Sequence, residues 1–173
     1  IFPRFEYVYF PNDHTAGASP GYPSPEFMVA ENDYVTGKLV ETISHSPHWE
    51  KTIIFVIEDD PQSGADHVDS HRTVGLVIGP HVKRRFVSHE RFDMARMIRT
   101  MEMLLGLPPM SRFDAMAAPM RSLFTATADG RPYDAFAITV PHTLNTTDTP
   151  GAAESLKMDF SHPDRIPDMA LNR

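Results

Sequence analysis

The sequence contains no cysteine. Disulfides and thiolate metal sites are therefore excluded, and compartment is left open. Any metal must be held by oxygen and imidazole nitrogen, which selects Zn, Mn, Mg, Ca or Fe over the soft-metal ions. No apolar run approaches the roughly 20 residues that span a bilayer, so no transmembrane segment is expected. Basic residues are in the minority: 16 Lys and Arg stand against 23 Asp and Glu, a formal net charge of −7. That balance argues against a nucleic-acid partner, which would need a basic face, and it permits cation binding. There is no internal repeat and no signal-peptide pattern of basic start and apolar run. The remaining composition, 173 residues with 41% hydrophobic and 23% charged, suits an ordinary globular domain with a real core. The chain opens on Ile1 with a strand-like segment almost at once, and the expectation is an excerpt of a longer protein.

"RFEYVYFP", residues 4–11, is rich in aromatic and β-branched residues and reads as a strand. A polar turn, "NDHTAG", and a proline-rich loop follow it. Ser24, Pro25 and Glu26 have the order of N-cap, first helical position and acidic first turn, predicting a helix to about Ser44. "KTIIFVIE" and "RTVGLVIGP" are unbroken apolar runs of the kind buried on both faces of a parallel sheet. "HERFDMARMIRTMEMLLGLPP" predicts a second helix with Met94, Met97, Ile98, Met101, Leu104 and Leu105 on one face, stopped by Gly106 and Pro108. "SRFDAMAAPMRSLF" has room for one or two helical turns, and "PYDAFAITVP" reads as an edge strand or extended segment. The order of elements predicts an α/β fold, a mostly parallel sheet flanked by helices, over residues 1–141. Thr, Pro, Ala, Asp and Ser dominate 142–173, expected as an extended, poorly ordered tail.

Between the two apolar runs, Glu58 to His71 holds five carboxylates, two imidazoles and no Lys or Arg. Two carboxylates about 4 Å apart repel by about 4 kcal/mol at an effective dielectric of 20. A divalent cation turns that repulsion into attraction and suits mixed carboxylate and imidazole donors. In open α/β sheets ligands sit at the carboxyl ends of strands. Asp59 and Asp60 directly follow "TIIFVI", Asp13 and His14 directly follow "FEYVYF" but for two residues of turn, and His71 closes the acidic segment. The bland alternative is a solvated acidic loop with surface His67 and His71.

The segments "EDDPQSGADHV", "PNDHTAG", "ENDYVTGKLVETISHSPHWEKTIIFVIEDD", "DHVDSHRT" and "RTMEMLLGLPPMSRFDA" together resemble bacterial phosphoesterases of the phospholipase C and acid phosphatase type, within the alkaline phosphatase superfamily. The likeness runs from about Phe5 to Met120, with a weaker echo in "MDFSHPDRIPD". It resembles a branch often attached to β-propeller repeats. The resemblance implies an incomplete alkaline-phosphatase-like fold and metal-dependent hydrolysis of a phosphate ester, whether monoester, diester or phospholipid. It implies Asp59 and Asp60 as the acidic metal-binding pair, His14 as a metal-binding His, and His71 as the residue completing the first metal site. Asp66 and His67 match the family's Asp-His-Val, with a role in orienting ligands from behind; Arg72 is placed to contact phosphate or to pair with the acids. The family motif spaces its Asp further from the His, whereas here Asp13 adjoins His14. The family's Thr or Ser nucleophile has no counterpart ahead of "FEYVYF", so the chain is expected to supply part of a metal site without the nucleophile and to be inactive in isolation. The missing N-terminal part of the same domain is the implied partner, and a secreted or periplasmic location is compatible with the likeness.

Other features have local explanations. His45 and His48, at the end of the first helix, fit a helix C-terminus, where a partly positive imidazole is favoured. "HVKRRF" reads as a solvated basic loop, and Thr15, Ser19 and Ser24 as turn or cap residues. A rival class is a non-catalytic binding module with a Ca²⁺-stabilised acidic loop, which needs oxygen ligands alone. A third is an inactive phosphoesterase relative.

Overall fold

Helix α1, Pro25–Ser44, begins where the cap chemistry requires. The Ser24 side chain accepts from the Phe27 N–H, and Pro25 fills a first-turn position where no N–H is needed. The computed structural model describes residues 3–58 and 73–158. Their contacts divide the chain into two units, Ile1–Glu6 with Ser46–Arg131, and Tyr7–His45 with Pro132–Arg173.

In the unit that contains α1, the helix buries Val40 and Ser44. Ser44 Oγ accepts from the Tyr133 N–H at 2.9 Å, and Glu41 Oε1 accepts from the Ala135 N–H at 3.1 Å. These bonds tie a segment outside the named helices and strands to α1. Asn145 joins the far segment to the loop before α1: its N–H donates to Tyr22 O at 2.8 Å, its C=O accepts from Gly21 at 2.9 Å, and its side-chain amide donates to Gly17 O at 3.1 Å. A single bridge pairs Pro23 with Leu144. One short helix, α4, Ala152–Ser155, follows, and Ser155 Oγ accepts from the Ala18 N–H at 2.8 Å.

The other unit holds two strands, β1, Ile54–Ile57, and β2, Gly75–Ile78. They pair antiparallel, with Ile54 opposite Ile78 and Ile57 opposite Gly75. Helix α2, Met94–Leu105, is capped by the Asp93 carboxylate on the Arg96 N–H and ends at Gly106, whose φ of 71° is left-handed. Helix α3, Arg112–Met116, starts with a reciprocal cap between Ser111 and Asp114. Glu102 and Asp114, each 3% exposed, tie α2 to α3: both accept from the Met110 N–H, at 3.0 and 2.7 Å. Arg99 pairs with the other oxygen of Glu102 at 3.3 Å. Met97, Met120, Trp49 and Pro80 are buried in this unit.

The expected mostly parallel sheet is not found among the described residues. Among the described residues the sheet has two strands, and they run antiparallel. A parallel pair needs a crossover of a dozen or more residues, whereas the register here, with residue numbers rising on β1 as they fall on β2, is that of an antiparallel pair. Nor are the two strands buried on both faces: β1 is half-buried along its length and Gly75 and Leu76 of β2 are exposed. The strand expected at 4–11 is also absent. Residues 5–10 form no ladder, and Tyr7 is 78% exposed. Aromatic and β-branched composition favours a strand only where a partner edge supplies hydrogen bonds. The α2 face is less completely covered than its spacing predicts, with Met97 buried but Met94 and Leu104 exposed.

Candidate metal centre

The acidic segment is anchored by the strand pair. Ile57 lies opposite Gly75 at the last rung, and just beyond it Thr73, two residues before Gly75, donates from Oγ1 to Glu58 Oε2 at 2.6 Å. This charge-assisted bond holds together the two chain ends from which the segment departs and returns. Asp59, Asp60, Asp66, His67, His71 and Arg72 lie outside the described residues.

Asp13 and His14 are described, and both are half-buried. They belong to a 3₁₀ turn, Pro11–His14, rather than to the carboxyl end of a strand. The strand-edge rule that grouped them with Asp59 and Asp60 therefore does not act on them. The turn has its own construction. Thr15 donates its N–H back to Asn12 O at 3.1 Å, and Gly17 donates to Thr15 Oγ1 at 3.1 Å. Ala16 is 5% exposed. From α1, Glu31 Oε2 accepts from Asn12 Nδ2 at 2.7 Å. Thr15 itself holds φ 57°, ψ 175°, a backbone region that belongs almost wholly to glycine and is strained for a β-branched residue.

The His14 ring is oriented within this turn. Its Nδ1 lies 3.3 Å from Thr15 O. A carbonyl only accepts, so in a hydrogen bond across this contact Nδ1 carries the proton. In the neutral ring the lone pair then resides on Nε2, the atom a metal ion takes when the other nitrogen is tied to backbone. Among the described residues no three His, Asp or Glu side chains converge to hold an ion.

The other candidates are engaged locally. His45 Nδ1 lies 2.9 Å from Glu41 O at the end of α1, and its Nε2 lies 3.5 Å from Asp134, as expected of a helix C-terminal imidazole. In the basic stretch, Arg84 donates to Arg131 O at 2.8 Å and lies 3.9 Å from Asp129, while Lys83 sits 4.8 Å over the Phe86 ring. Arg131 beside Asp129 holds that carboxyl well below the usual range against the opposing effect of desolvation, and Arg84 adds to the lowering. The hydroxyl of Ser24 is occupied by its cap bond and that of Thr15 by Gly17, so neither stands out as a nucleophile. Asp114 is likewise lowered, chiefly by the Ser111 hydroxyl, with burial opposing and Glu102 and the Met110 N–H assisting. Its oxygens serve the α2–α3 connection.

Sequence reasoning gave Glu31 no role beyond its place in the predicted helix to about Ser44. Its tie to Asn12 crosses 19 residues, and no local pattern pairs them. No described helix is long and apolar enough to cross a membrane. The chain matches no protein-family model, no curated protein and no solved structure.

Proposed function

We propose that this chain is part of a metal-dependent phosphoester hydrolase, with Asp59, Asp60, His14 and His71 as the principal metal ligands and Asp13 next. Two things support the reading: the ordered motifs of the sequence and, among the described residues, the local arrangement of His14. The first carries it. The second is local: His14 sets Nδ1 against its neighbour's carbonyl on a turn braced from α1, which is compatible with ligation through the other ring nitrogen. The donor set fits a divalent ion of the Zn, Mn, Mg, Ca or Fe group, which when bound would neutralise charge developing on a phosphate ester. The residues themselves would hold the ion and orient its donors, with Asp66 and His67 behind them and Arg72 toward the phosphate.

The test is calorimetric titration of the 173-residue chain with Zn²⁺ and Mn²⁺, using Asp59→Ala, His14→Ala and the double variant. Ligands of one ion give single variants that each lose at least about tenfold in affinity, and a double variant that loses less than the product, because groups sharing a partner are not additive. Unchanged affinity in the single variants overturns the assignment. Ca²⁺ uptake that survives His14→Ala combined with His71→Ala favours the oxygen-only binding module instead.

A further inference from the structure

We propose that Glu31 is a positioning residue for His14, an inference that rests on the metal-ligand reading of His14. Glu31 stands in α1, and its carboxylate receives the Asn12 amide at 2.7 Å, two residues before His14 in the same 3₁₀ turn. The turn ends in Thr15 at φ 57°, ψ 175°. A strained conformation of this kind persists only when the surroundings over-determine it. On the carboxyl side the determinants are the Thr15-to-Asn12 backbone bond, the Gly17-to-Thr15 bond and the burial of Ala16. On the amino side the bond from Asn12 to Glu31 fixes the turn to a 20-residue helix that is itself capped.

The chemistry of the pair suits that task. A primary amide donating to a carboxylate makes a short, charge-assisted bond, stronger than the neutral bonds within the turn. Glu31 lies on a regular helix, so its Cα is fixed by the helical ladder. The bond transmits that rigidity to Asn12 and so to the backbone carrying His14. Loss of the bond frees the turn to relax the Thr15 strain, which carries with it the Thr15 carbonyl and so the Nδ1 contact that orients the ring. Glu31 thus acts through Asn12 and not as a ligand. Groups that stand behind a metal ligand in this way characteristically change metal affinity by 10- to 100-fold when removed.

The experiment uses the full chain in two states. In the metal-free state, the His14 ring nitrogens are read by long-range ¹H–¹⁵N correlation in wild type, Glu31→Ala, Glu31→Gln and Asn12→Ala. Glu31→Ala and Asn12→Ala are expected to abolish the Nδ1–H tautomer preference of His14 equally, with no further effect when combined. Glu31→Gln retains a side-chain oxygen that accepts from Asn12 and is expected to preserve it, which also controls for folding. In the second state, Zn²⁺ affinity is expected to fall on the order of tenfold in Glu31→Ala and by less than about threefold in Glu31→Gln. A His14 ring signature unchanged in Glu31→Ala overturns the inference, as does equal damage by Gln and Ala. Failure of wild type to bind Zn²⁺ overturns the metal reading alone, because the metal-free spectra still decide whether Glu31 orients His14.

Discussion

Gly79 and Gly75 lie on the same short stretch around β2, and alanine at the two positions has opposite consequences. Gly79 is buried, and a Cβ there would stand 2.8 Å from Thr52 O, 3.3 Å from Ile53 Cγ1 and 3.4 Å from Ile53 Cα. Two of those three atoms are backbone on the strand entering β1, so relief requires moving main chain by several tenths of an ångström. Gly79 does not have a left-handed φ, so space alone decides the outcome. Overpacking of this kind costs about 1–3 kcal/mol. At about 2–4 °C per kcal/mol for a chain of this size, Gly79→Ala lowers Tm by roughly 2–12 °C. At Gly75, a Cβ meets nothing within 4 Å among the described residues. Gly75→Ala therefore leaves Tm within about 1 °C, or raises it slightly because alanine loses less backbone entropy on folding. Thermal melts followed by far-UV circular dichroism decide between these. Equal melting temperatures for the two variants would refute the close approach of the two strand ends.

Asp114 has a folded-state pKa held below its unfolded value, so the unfolded chain binds its proton more readily. Its contribution to stability is complete above about pH 4 and is lost as pH falls from there through the folded pKa. Denaturant melts between pH 2 and 6 should show Asp114→Asn with a flatter acid limb than wild type; parallel limbs would rule out the Ser111 and Met110 bonds as the cause. Gly37→Ala places a methyl 3.5 Å from Ala135 Cβ, an ordinary contact in the interior of α1. It is expected to raise stability by about 0.5–1 kcal/mol, read as a higher urea midpoint at constant slope.

Helix boundaries were legible because their determinants are local. Ser24 and Pro25 start α1 by chemistry contained within four residues, and Gly106 stops α2 because it tolerates the left-handed φ that a helix end demands. Sheet direction was not legible from apolar runs, since "TIIFVI" and "TVGLVIG" serve either orientation. The connection between them held the relevant signal: it carries Pro61 and Gly64 and lacks helical periodicity, which disfavours a parallel crossover. "FEYVYF" failed for a different reason. Side-chain composition measures fitness for a pleated surface, whereas a strand also needs a neighbouring edge, and that is a non-local quantity. At the candidate site the turn around Asn12 was recognisable from its polar residues. Its brace was not, because Glu31 reaches Asn12 through the fold rather than through sequence spacing.

The antiparallel pairing changes how the proposed acidic site would be assembled. On a parallel sheet, carboxylates at separate strand ends would be gathered by the sheet itself. Here residues 59–72 connect two ends already held side by side by the last rung of the ladder and by the Thr73-to-Glu58 bond. Closing a connection costs entropy that grows only with the logarithm of its length, and the strand pair meets that cost independently of any ion. On the proposed reading, what would remain for a cation to overcome is the mutual repulsion of the carboxylates and the ordering of their side chains. Glu58, the first of the five acids, already has one carboxylate oxygen engaged by Thr73. On the proposed metal-binding reading, the acids beyond Glu58 would set the affinity for a cation, and the imidazoles would decide whether that cation must be one that prefers nitrogen donors.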